Sequence, residues 1–246
     1  MKESEIRPLD LFNRFLSLSE QDIARFFSDR SQLSEVECPG CGGDSYQPAM
    51  EKFGFKYVTC TACGSLFVSP RPSEQMIDQY YRESQAVKFW ESSFYKETSE
   101  ARRNKVIKPR AEYVAKLART DGGECLGTLV DVGAGFGIFL EEVAKLNVFA
   151  DIVGIEPAPN LAEICRQRGF RVLEKPAERI ESGELNASWA TAFEVLEHVH
   201  SPPRFLQSIG NILQPGGKLV LTTLTVTGFD IQMLWNHSKS VHPRAP

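Results

Sequence analysis

Two rhythms of apolar residues divide this chain. Through residues 1–35 apolar positions recur at helical spacing: Leu9, Phe12, Phe15 and Leu16 share one face, and Ile23, Phe26 and Phe27 another. Ser19, followed by Glu20, Gln21 and Asp22, reads as a helix start between them. These helices are expected to pack on the rest of the protein or on a second copy of the chain. From Cys38 to about Pro72 the texture turns to Gly, Pro and Cys, with β-rich runs at Phe55–Thr59 and Leu66–Ser69. Ser73 has the place of an N-cap for a helix through Tyr81, and 85–120 reads as helical and charged until Gly122 and Gly123 break the pattern.

From Thr128 onward the period changes. Thr128–Val132, Asp151–Ile155, Phe170–Leu173, Ala187–Glu194 and Lys218–Thr225 read as strands, and 137–146, 159–168 and 202–213 as helices. Gln214–Gly217, Gln-Pro-Gly-Gly, reads as a turn. Strands alternating with helices require crossover connections, so the fold class is α/β, with a parallel sheet covered on both faces. The expected organisation is N-terminal helices over 1–35, a small β-rich module over 36–72, a helical linker or lid over 73–122 and the α/β domain over 123–246. No internal repeat stands out.

Composition narrows the class. The 246 residues are 42% hydrophobic and 24% charged, as in an ordinary soluble globular protein, and a net charge of −4 argues against a non-specific nucleic-acid binder. No apolar run reaches the roughly 20 residues that span a bilayer, and the first residues carry no secretory pattern, so a cytoplasmic protein with reduced thiols is expected, with no membrane partner. In that compartment paired cysteines hold metal more often than they form disulfides. Cys38-Pro-Gly-Cys41 and Cys60-Thr-Ala-Cys63 give two C-x2-C turns at zinc-ribbon spacing, each followed by a glycine, Gly42 or Gly64. Four thiolates complete a tetrahedron and leave no open position, so a Zn²⁺ held here is structural. Iron in a rubredoxin-like site is the minor alternative. Cys125 and Cys165 read as packed thiols.

The sharpest chemical signal is Asp131-Val132-Gly133-Ala134-Gly135-Phe136-Gly137, between a strand and a helix. Glycines let backbone approach a ligand, and a helix N-terminus offers N–H donors. A dinucleotide loop would read G-x-G-x-x-G, and its third glycine would fall on Ile138. The acid at Asp131 suits a cation better than a pyrophosphate. Glu156, at the end of the next strand, can accept hydrogen bonds from both hydroxyls of a ribose, a requirement shared by several nucleoside cofactors.

At these residues the chain resembles the class I S-adenosylmethionine-dependent methyltransferases. Asp131 to Gly137 looks like their first motif, Glu156 like their ribose-binding acid, Ala192–Val199 like the strand-four motif, and Leu213–Leu219 like the turn into strand five. The resemblance covers about 128–225. It implies that Gly133, Ala134 and Gly135 line the methionine and ribose part of the cofactor, that Glu178 contacts adenine, and that Phe193 and Glu194 lie beneath it. The ribbon, Pro70-Arg71-Pro72 and the following helix resemble, more loosely, bacterial methyltransferases of surface-polysaccharide or secondary-metabolite pathways. The family sheet has seven strands, and only 21 residues follow Thr225, where a helix and two strands with loops need roughly 25 to 30. The sheet is therefore expected to stop at or just after Lys218–Thr225.

The expected reaction is O- or C-methylation of a small-molecule or sugar acceptor. Such an acceptor needs a base; His198 is the first candidate, having an ordinary pKa near neutrality, with Glu194 beside it. The competing role for His198 is to stabilise its loop. Glu194, Glu197 and His198 also resemble the metal site of some RNA-end methyltransferases, with ligands suited to Mg²⁺. Two other functions compete: an RNA methyltransferase gripping nucleic acid with its ribbon, and a non-catalytic protein that kept the cofactor fold. The ribbon's Lys52, Lys56 and Arg71 are offset by Glu37, Asp44 and Glu51, which is no basic patch.

Overall fold

The computed structural model describes residues 3–122 and 126–241; Cys125 lies outside them. The chain divides into two compact units. One comprises the chain up to Ser99, the short stretch Glu197–Pro202 and the chain from Leu224 on; the other comprises Glu100–Leu196 and Pro203–Thr223.

The first unit begins with α1 (Glu3–Ile6) and α2 (Leu9–Phe26). Ser19 does not start a new helix. It lies inside α2, fully buried, and its Oγ donates to Phe15 O at 2.9 Å. A serine that satisfies its hydroxyl on the carbonyl one turn back is tolerated mid-helix, so the cap signal is overridden locally. Three antiparallel strands follow in the order β1 (Tyr46–Lys52), β2 (Phe55–Cys60), β3 (Leu66–Val68). The β1–β2 turn is Phe53-Gly54, with both residues at positive φ (51° and 73°), the conformation of a two-residue hairpin turn matched to strand twist. Strand β1 was not visible in the hydrophobic pattern, because Pro48 and three long polar side chains interrupt it. As an edge strand it tolerates the proline, which lies at a register break between Pro48 and Met50.

Along the chain come α3 (Glu74–Glu83), α4 (Gln85–Phe89), α5 (Tyr95–Arg102) and α6 (Lys108–Gly122), with π turns at Trp90–Phe94 and Arg103–Ile107; from Glu100 on they belong to the second unit. Ser73 caps α3 as its position suggested, its Oγ accepting from Met76 N at 3.3 Å. The first unit's main core joins Ile23, Phe27, Phe55, Tyr57, Val68, Ile77 and Tyr80 to Ile231 and Val241 from the far end of the chain.

The second unit is a parallel sheet of β4 (Leu126–Val132), β5 (Phe149–Ile155), β6 (Arg171–Leu173), β7 (Ala187–Phe193) and β8 (Leu213–Thr222), in the order β6-β5-β4-β7-β8. The connecting helices are α7 (Ile138–Ala144), α8 (Pro159–Gln167) and α9 (Pro202–Ile212). Leu129, Trp189, Phe139, Val143 and Phe149 pack with Ala111, Val114 and Ala118 of α6 to form its core. The expected α/β class and parallel sheet are thus present. The last strand stops at Thr222, and its register breaks after Leu213, where the Gln-Pro-Gly-Gly turn was expected. Helix α10 (Phe229–Leu234) follows, and among the described residues no strand does. Strand order runs outward from β4 in one direction and from β7 in the other. Right-handed crossovers therefore send α7 and α8 to one face and α9 to the other. The crevice at the carboxyl ends of β4 and β7 is where such sheets bind ligands.

Candidate functional site

The loop after β4 rises from that crevice. Asp131 is its buried foot: Thr191, its register partner on β7, donates from Oγ1 to Asp131 Oδ1 at 2.7 Å. Burial pushes the Asp131 carboxyl up to about 7; the Thr191 hydrogen bond opposes that, and the nearby charge of Glu156 adds to it. Thr191 had no signal in the sequence.

The three glycines of the loop all have positive φ, but they answer different demands. A Cβ at Gly133 would lie 2.6 Å from Val195 Cγ2, and one at Gly137 would lie 2.9 Å from Cys165 Sγ. At Gly135 the nearest atom to such a Cβ is Gly133 O at 4.0 Å, so the loop is open on that side. Cys165, read from sequence as a packed thiol, is fully buried on α8 and donates its S–H to Gly135 O at 3.2 Å. Burial first, and then the Glu156 and Asp131 charges, push this thiol up to about 11, which keeps it the donor.

The amides of Gly133, Ala134, Gly135 and Gly137 are engaged within the fold, where a helix N-terminus suggested free donors. Gly133 N and Ala134 N both donate to Ile155 O (2.8 and 3.1 Å), and Gly137 N donates to Ala134 O at 2.9 Å. Gly135 N donates to Glu156 Oε2 at 2.8 Å, while Glu156 Oε1 accepts from Ala158 N at 3.0 Å. Glu156 is buried, and these bonds fix its carboxylate between the loop and the start of α8. The Ala134 methyl packs inward with Leu140 and Cys165. With these amides engaged, the loop lacks the free N–H donors of a phosphate site.

At the tip of β7, Phe193 meets Phe139 edge to face at 5.0 Å, and the Arg110 guanidinium lies 5.1 Å from its ring centre. Glu194 sits at φ 58°, uncommon for a residue with a side chain. Its Oε1 accepts from Arg110 Nη2 at 2.8 Å and from Thr222 Oγ1 at 2.7 Å, and its N–H donates to Thr222 O at 2.9 Å. Arg110 and Thr222 lie 84 and 28 residues away in sequence, so no local pattern could have found them. Glu178 lies half-buried in the short helical turn Ala177–Arg179. His198 closes the turn Leu196–His198, and Glu197–Pro202 clusters with the ribbon-bearing unit.

In that unit, Cys38 and Cys63 Sγ lie 3.6 Å apart, as do Cys41 and Cys60 Sγ, and all four sulfurs fall within 4.8 Å of one another. Disulfides would need about 2.05 Å. A tetrahedron of sulfurs with Zn–S near 2.3 Å has edges of about 3.8 Å, so the spacing fits that ion. The two turns repeat one another. Gly42 N donates to Cys38 O and Gly64 N to Cys60 O, while Cys38 N donates to Gly43 O and Cys60 N to Ser65 O. N–H groups of Gly40 and Cys41 turn toward Cys38 Sγ, and those of Ala62 and Cys63 toward Cys60 Sγ. Such donors stabilise thiolates. Among the described residues, this is the group of His, Cys, Asp or Glu whose ligand atoms lie together.

A family model described as a methyltransferase domain matches residues 99–244. A ubiquinone biosynthesis O-methyltransferase of Xanthomonas oryzae pv. oryzae is 33% identical over 125 residues, covering 48% of this chain and 50% of that protein. A protein of the same name from Xanthomonas axonopodis pv. citri is 34% identical over the same shares. The chain thus spans about half the length of the curated relatives it matches. Among solved structures, the plantazolicin methyltransferase BpumL in complex with SAH superposes with a TM-score of 0.52 at 13% identity, covering 69% of this chain and 68% of that one, which is a likeness of fold alone. Among the described residues no helix is long and apolar enough to cross a membrane.

Proposed function

This chain belongs to the methyltransferase domain family, and we propose that it transfers a methyl group from S-adenosylmethionine to a small-molecule or sugar acceptor. The observation that carries the reading is the loop Gly133–Gly137: open at Gly135, with the amides of all three glycines and Ala134 engaged, and flanked by the carboxyl groups of Asp131 and Glu156. When bound, the cofactor supplies an electrophilic methyl on a positively charged sulfur. The chain's own work is orientation and electrostatics. Gly133, Ala134, Gly135 and Gly137 shape the cradle, and Asp131 anchors its foot. Glu156 takes the ribose hydroxyls, Glu178 the adenine edge, and Phe193 the underside. Glu194, tied to Arg110 and Thr222, is better suited to fix the β7 tip and place negative charge there than to carry a proton. The proton of an oxygen acceptor therefore falls to His198. The names of the curated relatives favour oxygen as the accepting atom.

The four cysteines would hold a structural Zn²⁺, in a cytoplasmic compartment that keeps them reduced. Calorimetry tests the cofactor reading: S-adenosylhomocysteine should bind, the Gly135→Arg variant should lose it, and Glu156→Ala should weaken it. Tighter binding of NAD than of S-adenosylhomocysteine would refute the proposal.

A further inference from the structure

The segment Pro70-Arg71-Pro72, just after β3, has no part in the chemistry so far. Its backbone is clamped: Ser34 N donates to Arg71 O at 3.0 Å and Arg71 N to Ser34 O at 2.9 Å, an isolated antiparallel bridge. The side chain therefore starts from a fixed origin. Its Nη2 lies 3.4 Å from Nδ1 of His200. A guanidinium has only donors, so in this contact Nδ1 is the acceptor. His200 belongs to Glu197–Pro202, the stretch that packs in the ribbon-bearing unit although the chain on either side of it does not.

Arg71 Nε and Nη1 are shielded from solvent and have no hydrogen-bond partner among the described residues, and no carboxylate there forms an ion pair with Arg71. Three N–H bonds, one on Nε and two on Nη1, are thus unanswered on a group that stays charged. Burial lowers the Arg71 pKa from its ordinary value, which measures the cost of keeping that charge away from water. Water could answer the hydrogen bonds, but an anionic group would answer both them and the half-buried charge.

We propose that Arg71 and His200 form a binding site for an anionic oxygen group, a carboxylate or a phosphate. Arg71 supplies the charge and the Nε and Nη1 donors; His200 holds the guanidinium in place through Nδ1.

The test uses the zinc-loaded full chain labelled with ¹⁵N. The Arg71 Nε–H resonance, identified by its loss in Arg71→Lys, is followed while inorganic phosphate and, separately, acetate are titrated in. A saturable shift is expected. Phosphate alone producing it assigns a phosphate group, and acetate alone a carboxylate; if both do, the tighter one decides. His200→Gln should weaken the effective anion roughly tenfold, the worth of one hydrogen bond to a charged group. Should Arg71→Lys not fold, the resonance is identified by its displacement in His200→Gln. S-adenosylhomocysteine binding is measured on the same samples. No shift with either anion while S-adenosylhomocysteine binds overturns the subsite alone. A saturable shift without S-adenosylhomocysteine binding overturns the methyltransferase reading and leaves the anion site standing.

Discussion

The four-cysteine turns and the parallel sheet solve the same problem by different means. Around the cysteines only Cys38, Val58, Cys60 and Phe67 form a buried cluster, with Val36 and Tyr46 against it. So little apolar surface does not offset the chain entropy of ordering the turns, and a metal ion shared by the four cysteines would supply the difference. Around β4 and β7, by contrast, Leu129, Trp189, Phe139, Val143 and three alanines of α6 interlock without any ligand. Burying one large side chain there contributes about 1.5–3 kcal/mol. The cysteine turns should therefore fail under chelation, and the parallel sheet under loss of volume.

The largest expected effect is metal removal. Apparent zinc-binding free energies of about 10–16 kcal/mol are folding free energy in small sites of this kind. A chelator should therefore expose the stretch from Cys38 to Val68 to protease while S-adenosylhomocysteine still binds. A Cys60→Ser chain that keeps a full equivalent of zinc would break the comparison on the ribbon side. Next comes Leu129→Ala, fully buried in the sheet core, which should cost about 2–5 kcal/mol in denaturant unfolding with zinc content unchanged. A smaller loss, about 1–2 kcal/mol from the left-handed backbone alone, is expected for Gly133→Ala. Its methyl would also strike Val195, so S-adenosylhomocysteine affinity should fall, and Val195→Ala in the same chain should recover part of it.

The last effect is read as a slope. Asp131 is raised from 3.8 to about 7 in the folded protein, so between those values the native state holds a proton that the unfolded chain has lost. Its contribution to stability is complete below the unfolded value and disappears as pH rises through about 7. Melting temperature should therefore decline from pH 4 to 7.5 more steeply in the native chain than in Asp131→Asn; parallel curves would remove Asp131 from the account.

Much of this was legible because the informative residues are neighbours in sequence. The C-x2-C spacing and the glycine run each encode a turn within a few residues, and the change of period from helical runs to alternating strand and helix gave the sheet. Distance in the chain hid the rest. Thr191 reaches Asp131 across 60 residues and Arg110 reaches Glu194 across 84, and neither partner carries a mark of its role. Ser19 misled because its cap signal competes with a bond to the carbonyl of Phe15 that only a continuous helix provides. Strand β1 was missed because an edge strand need not be apolar, and Pro48 is permitted there.

The core of the first unit draws Ile231 and Val241 onto Phe27, Phe55 and Tyr80, and Lys52 Nζ donates to Ser238 O nearby. Residue 241 leaves the ribosome roughly 140 residues after Ser99, which at about 5–20 residues per second is a delay of the order of 10–30 seconds. The strands made first are thus finished last. The parallel sheet, complete by Thr223, is ready to fold while the nascent ribbon unit still waits for its closing side chains. During that interval Phe27, Phe55 and Tyr80 lack their last covering residues, and a zinc ion captured early by the cysteines would hold the two hairpin ends together until those residues arrive.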